Sequence, residues 1–159
     1  MTKTHDSVAP ESDGFVRAGV TADAHNVVRL RAELEQWLRG RFALDSLRLN
    51  DMVLSVNEAL ANVAEFAYRN AKQTGTVDVE ALYDSVTLIL TITVADQGSW
   101  RDFADREPKR TRGRGIPLME ALSDEVGIDA TDHGTTVCMR FGNVAVVEPS
   151  RRGDEVANA

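Results

Sequence analysis

The sequence predicts an α+β fold: a two-layer sandwich with one mixed, mostly antiparallel sheet and helices on one face. Three observations lead there. Two long stretches repeat apolar residues at helical spacing, which marks helices with one buried side. Several short stretches rich in β-branched residues alternate or run nearly continuously apolar, as strands do. The strands also come in pairs set apart from the helices, whereas a parallel βαβ fold would alternate them singly. With 159 residues, 43% hydrophobic and 27% charged, the chain has the size and balance of one globular domain with a real core.

Residues 1 to 13, "MTKTHDSVAPESD", are polar and poor in large apolar side chains, and are expected to form a disordered leader to a domain spanning 14 to 147. "GFVRAGV", 14 to 20, reads as a short first strand. A helix follows, capped near Thr21 or Asp23 and closing around Gly40, with Val27, Leu30, Leu34, Trp37 and Leu38 on one stripe. The second helix runs from about Ser46 to Asn70, its core stripe formed by Leu49, Met52, Val53, Val56, Leu60, Val63 and Ala67. "GTVDVEAL" and "SVTLILTITVA" are two strands joined by a turn at "YDS". Residues 97 to 115 form a long polar loop, and loops beyond about 12 residues without structure of their own are usually functional or disordered. "IPLMEALSD" is a short helix, and "EVGIDAT" and "GTTVCMRFGNVAVV" are two closing strands around a turn at Asp132, His133 and Gly134. Residues 148 to 159 are expected to be a flexible tail.

The net charge of −7 argues against a nucleic-acid binder acting through its overall field. Cys138 is the single cysteine, so no internal disulfide can form, and it reads as a buried structural thiol in the last strand. No stretch approaches the ~20 apolar residues of a membrane span, and no signal-like segment opens the chain. The expectation is a soluble, cytoplasmic protein. His5, His25 and His133 have no metal-ligand spacing.

Three separated pieces carry candidate chemistry. Glu58 and Asn62 lie one turn apart on the second helix, roughly opposite its apolar stripe. Taken alone, they are best read as part of a solvated face with Asp51, Ser55, Glu65 and Arg69. The functional reading is a base beside a neutral amide oxygen, and such an oxygen can ligate Mg²⁺. The second piece is "TVADQGSW", where Asp96 and Gly98 follow an apolar strand. They suit an ordinary turn, or a carboxylate that accepts from an exocyclic amine while glycine lets a flat ring approach. The third is "TRGRGIPLM", where Gly113, Arg114 and Gly115 precede a helix N-terminus. That arrangement is either a charged, solvated loop or a phosphate cradle.

In order and spacing, these pieces resemble the GHKL ATP-binding superfamily, whose gyrase-type, histidine-kinase and MutL domains share the Bergerat-type fold. "NEALANVAEFAY" looks like its N box, "ADQGSW" and "GRGIPLM" like its two glycine boxes, and "HGTTVCMRF" like its final Gly-Thr strand. The resemblance covers about residues 14 to 142, and within the superfamily the chain is most similar to the small anti-sigma-factor serine kinases. By that resemblance Asn62 ligates Mg²⁺ on ATP, and Glu58 is the general base for an attacking serine hydroxyl. Asp96 binds the adenine amino group over Gly98, the Gly113, Arg114 and Gly115 loop closes over the phosphates, and Thr136 supports the adenine end. Two positions depart from the family pattern. Trp100 stands where a second glycine is usual, and Phe66 where histidine is common.

The resemblance implies an ATP- and Mg²⁺-dependent serine kinase acting as an anti-sigma factor. Its partners would be a sigma factor and a STAS-domain anti-anti-sigma protein whose serine it phosphorylates, with a homodimer as a further expectation. Neither direct nucleic-acid nor membrane contact is implied. The rival reading is a catalytically weak, ATP-sensing module that sequesters a transcription regulator. A free-standing ATPase or a histidine-kinase fragment is a third.

Overall fold

The computed structural model describes residues 14–69, 71–99 and 115–148. Five strands form one sheet: β1 (Phe15–Thr21), β2 (Thr76–Asp84), β3 (Ile89–Asp96), β4 (Glu125–Thr131) and β5 (Gly134–Phe141). Their spatial order is β1-β2-β3-β5-β4, and every pairing is antiparallel. Helices α1 (Ala24–Arg41), α2 (Ser46–Asn62) and α3 (Gly115–Leu122) pack with the sheet around one core. After Asn62, α2 continues as a π-helical turn, Val63–Ala67.

The alternation of β3 shows how the layers form. Leu90, Ile92, Val94 and Asp96 are buried, while the intervening residues are half-buried. In β5, Thr135, Val137, Met139 and Phe141 share the buried parity. These residues meet the helical stripes, where Val27, Leu30, Leu34 and Leu38 of α1 and Leu49, Met52, Val56 and Leu60 of α2 are buried. Trp37 joins an aromatic chain at the end of the sheet where β1 begins. Its ring lies 5.9 Å from Phe15 and 5.3 Å from Phe42, and Phe42 lies 4.9 Å from Tyr83. Asp23 caps α1 by accepting from the Asn26 N–H at 2.8 Å, and Asp45 caps α2 by accepting from the Arg48 N–H at 2.7 Å.

The structure corrects the sequence reading at four places outside the candidate site. Ser55 is fully buried, and its hydroxyl donates back to the Asp51 carbonyl at 2.7 Å, so it does not belong to a solvated face. The β2–β3 turn occupies residues 85–88, because Tyr83 and Asp84 still pair with Leu90 and Ile89. Asp84 instead anchors that turn: its carboxylate accepts from the N–H groups of Val86 and Thr87, which hold its pKa below the usual value. The last strand stops at Phe141, and the chain folds back so that Ala145 accepts from the Ala43 N–H and Val144 accepts from the Tyr83 hydroxyl at 2.6 Å. Cys138 is half-buried, because its parity places it on the sheet face away from the helices. The leader 1–13, Asn70, Trp100, His5 and the tail beyond Glu148 lie outside the described residues.

Asp124 ties α2 to the exit of β5. Its Oδ2 accepts from the Gly142 N–H at 2.6 Å and from Arg48 Nη2 at 2.8 Å. The Gly142 N–H first, and Arg48 second, hold the carboxyl below its ordinary pKa. Asp124→Asn is expected to cost about 1 kcal/mol at pH 7, at the low end for a charged hydrogen bond because the pair is solvent-screened. A depressed folded pKa contributes stability above the unfolded value, and that stability is lost as pH falls through the folded one. The gap between parent and variant in urea unfolding should therefore be full at neutral pH and shrink below about pH 4.

Candidate functional site

Three elements converge at the end of the sheet where β3 finishes and β5 starts. The first is the last turn of α2. Its buried stripe turns Leu60 and Val63 into the core and leaves Glu58 and Asn62 half-buried on another side of the helix. Helix α3 begins beside them. A Cβ built on Gly115 would stand 3.1 Å from Asn62 Nδ2, 3.3 Å from Glu58 Oε2 and 3.4 Å from Asn62 Oδ1. The first residue of α3 is thus seated directly on the carboxylate and the amide. Its N-terminal N–H groups and the positive end of its dipole lie at the same place.

The second cluster is the turn after β3. Asp96 is 7% exposed, and its Oδ1 accepts from the Gly98 N–H at 2.9 Å. This aspartate–N–H bond two residues on is the local reason for the turn. Gly98 is pressed against the end of the π turn: a Cβ there would overlap the Ala67 carbonyl, and the Ser99 N–H donates to that same carbonyl at 2.8 Å. Asn62 and Ala67 are five residues apart, or about 7 Å along a helix axis. One continuous helical segment therefore supports both clusters.

The third element is the start of β5. Gly134 has φ +152°, and a Cβ there would overlap the Asp96 carbonyl, so only glycine lets β5 begin this close to the turn. Thr135 pairs in register with Asp96, shares its face and is 2% exposed, and its Oγ1 has no hydrogen-bond partner among the described residues. Thr136 is exposed on the opposite face. Strand parity therefore puts Thr135, and not Thr136, on the face that Asp96 occupies. The signal was present, since Val137, Met139 and Phe141 share the parity of Thr135.

The structure thus brings Glu58, Asn62 and Gly115 together, and Asp96, Gly98 and Gly134 together, with Thr135 joining the second group. Gly113 and Arg114 lie outside the described residues. Two surface grooves, of about 330 and 540 Å³, run beside α1 and α2, and neither is lined by Glu58, Asn62 or Asp96. Among the described residues, no cluster of three or more histidine, cysteine or carboxylate side chains is placed to hold a metal, and no helix is long and apolar enough to cross a membrane.

The architecture is thus a two-layer sandwich whose acid–amide pair on α2 meets a glycine-led helix, with an Asp-x-Gly turn packed on the end of the same helical segment. Residues 20 to 141 match the family described as histidine kinase-like ATPase domain, and the chain belongs to that family. Among curated proteins it is similar to the serine-protein kinase RsbW of Bacillus licheniformis, with 35% identity over 104 residues. That alignment spans 57% of this chain and 63% of the relative. Among solved structures, the crystal structure of the RsbU and RsbW domains of Rv1364c from Mycobacterium tuberculosis superimposes with a TM-score of 0.63 at 22% identity. It covers 87% of this chain and 34% of that one, which supports the same fold.

Proposed function

We propose that the protein is an ATP-dependent serine kinase of the anti-sigma type, which sequesters a sigma factor and phosphorylates a serine on a STAS-domain antagonist. The observation that carries this reading is the seating of Gly115, at the N-terminus of α3, on Glu58 Oε2 and the Asn62 amide. That position combines an acceptor for a hydroxyl proton, a neutral oxygen for a hard cation and N–H groups for phosphate. The similarity to a serine-protein kinase points the same way.

The donor set fits ATP with Mg²⁺. Asn62 Oδ1 would be the protein ligand to the metal, which supplies charge neutralisation on the phosphates, and few protein ligands suit a cation that keeps its waters. Asp96 would accept from the adenine amino group, and Gly98 would floor the ring. Thr135, with its unpartnered buried hydroxyl, would serve the adenine end in the place first expected of Thr136. Glu58 would take the proton of the attacking serine. Gly113 and Arg114 are proposed, with Gly115, to cover the phosphates.

Calorimetric titration with ATP tests the pocket. Saturable binding strengthened by Mg²⁺ is expected. Asn62→Ala should remove the Mg²⁺ enhancement, and Asp96→Ala should weaken affinity at least tenfold with or without metal. Folded protein that binds no adenine nucleotide would end the kinase reading and leave a nucleotide-independent interaction module.

A further inference from the structure

Tyr68 follows the π turn directly, and its hydroxyl makes two long-range hydrogen bonds. It donates to the Thr76 carbonyl at 2.5 Å and accepts from the Gln97 N–H at 2.9 Å. Thr76 opens β2, and Gln97 lies inside the turn between Asp96 and Gly98, so a single oxygen joins the helix end, the neighbouring strand and the turn. The ring is fixed as well, because it lies so close to Gly75 that a Cβ there would overlap it. The chain around the hydroxyl is therefore set from three sides. The Ala67 carbonyl holds Ser99, the Asp96 carboxylate holds Gly98, and Tyr68 holds Gln97.

We propose that Tyr68 is a positioning residue for this turn, its hydroxyl fixing the Gln97 peptide so that Asp96 is presented to the exocyclic amine of an adenine ring. This rests on the nucleotide reading given above. The physical basis is that Asp96 is the last residue of β3, where sheet pairing with Val77 and Thr135 ends. Beyond that residue the sheet no longer fixes the peptide planes, and the bonds from the Gly98 and Ser99 N–H groups hold the later part of the turn rather than the Gln97 peptide. The Tyr68 hydroxyl, accepting from the Gln97 N–H, fixes that peptide before the ligand arrives, and pre-organisation of this kind appears as affinity.

The test uses Tyr68→Phe, which keeps the ring against Gly75 and deletes only the hydroxyl. Tyr83→Phe is the control, because it deletes a comparable hydroxyl–carbonyl bond to Val144 at the far end of the sheet. Amide exchange and ATP titration are measured on all three proteins. Tyr68→Phe should speed exchange at Gln97, Gly98 and Ser99 and weaken ATP binding about tenfold, roughly the worth of one hydrogen bond. Tyr83→Phe should lose similar thermal stability with ATP affinity unchanged. Equal ATP affinity in the two variants, or unaltered exchange across the turn in Tyr68→Phe, would overturn the proposal. A folded parent that binds no ATP overturns the nucleotide reading itself and this proposal with it, an outcome read from the parent before any variant is compared.

Discussion

Glu58→Gln is expected to reduce phosphoryl transfer to a STAS-domain antagonist by about 10²- to 10⁴-fold while leaving ATP affinity within a few-fold of the parent. A positioned general base contributes about that factor, and the substitution preserves shape and hydrogen bonding but removes the proton acceptor. The geometry gives reason to expect the split between binding and turnover. Glu58 Oε2 and the Asn62 amide both face the first residue of α3, so glutamine fills the same space beside Gly115. Single-turnover transfer from radiolabelled ATP, run beside calorimetry, reads both quantities. Parallel loss of binding and transfer would make Glu58 a structural support for α3. Full transfer in the variant would move the base elsewhere. A parent that binds ATP and shows no transfer to any STAS partner would favour the ATP-sensing, sequestering module, in which nucleotide only biases which partner is held.

The features of this domain that repeat could be read from the sequence. Apolar spacing located α1 and α2 because each turns one stripe toward the sheet, and Leu30, Leu34, Met52 and Leu60 are at most 1% exposed as that pattern requires. The candidate residues were legible as types in order, since a local motif keeps its spacing whatever the surrounding fold. Features decided by pairing between distant segments were not. Tyr83 and Asp84 look like turn residues, yet strand pairing extends through them. Ser55 looks solvated, yet bonding back to Asp51 lets it be buried. Thr135 and Thr136 are adjacent identical residues, and only register against Asp96 separates their faces. The π turn and the Tyr68 bonds have no local sequence signature, because their partners are Ser99, Thr76 and Gln97 on other elements.

Gly98→Ala is expected to destabilise the domain by about 3 kcal/mol and to weaken ATP binding well over tenfold. The two losses should arise together. A Cβ at position 98 meets the carbonyl oxygen, carbonyl carbon and Cβ of Ala67, so the obstacle is mainly backbone and no side-chain rotation relieves it. Either the turn shifts or the helix end does. Shifting the turn breaks the Ser99–Ala67 bond and displaces the Gly98 N–H from Asp96 Oδ1, the carboxylate proposed to meet adenine. Shifting the helix end moves Ala67, which is 4% exposed and packed in the core, and strains the segment that carries Asn62 one and a half turns away. Overpacking costs about 1–3 kcal/mol, and the disrupted hydrogen bonds add about 1 kcal/mol each. Denaturant unfolding and calorimetry on one preparation test the link. Stability lost with affinity kept would uncouple the turn from the nucleotide, and a variant matching the parent in both would mean that the helix end and the turn are not clamped together. The coupled loss is the outcome the contact dictates, because the same Ala67 carbonyl ends the helix bearing Glu58 and Asn62 and supports the turn bearing Asp96.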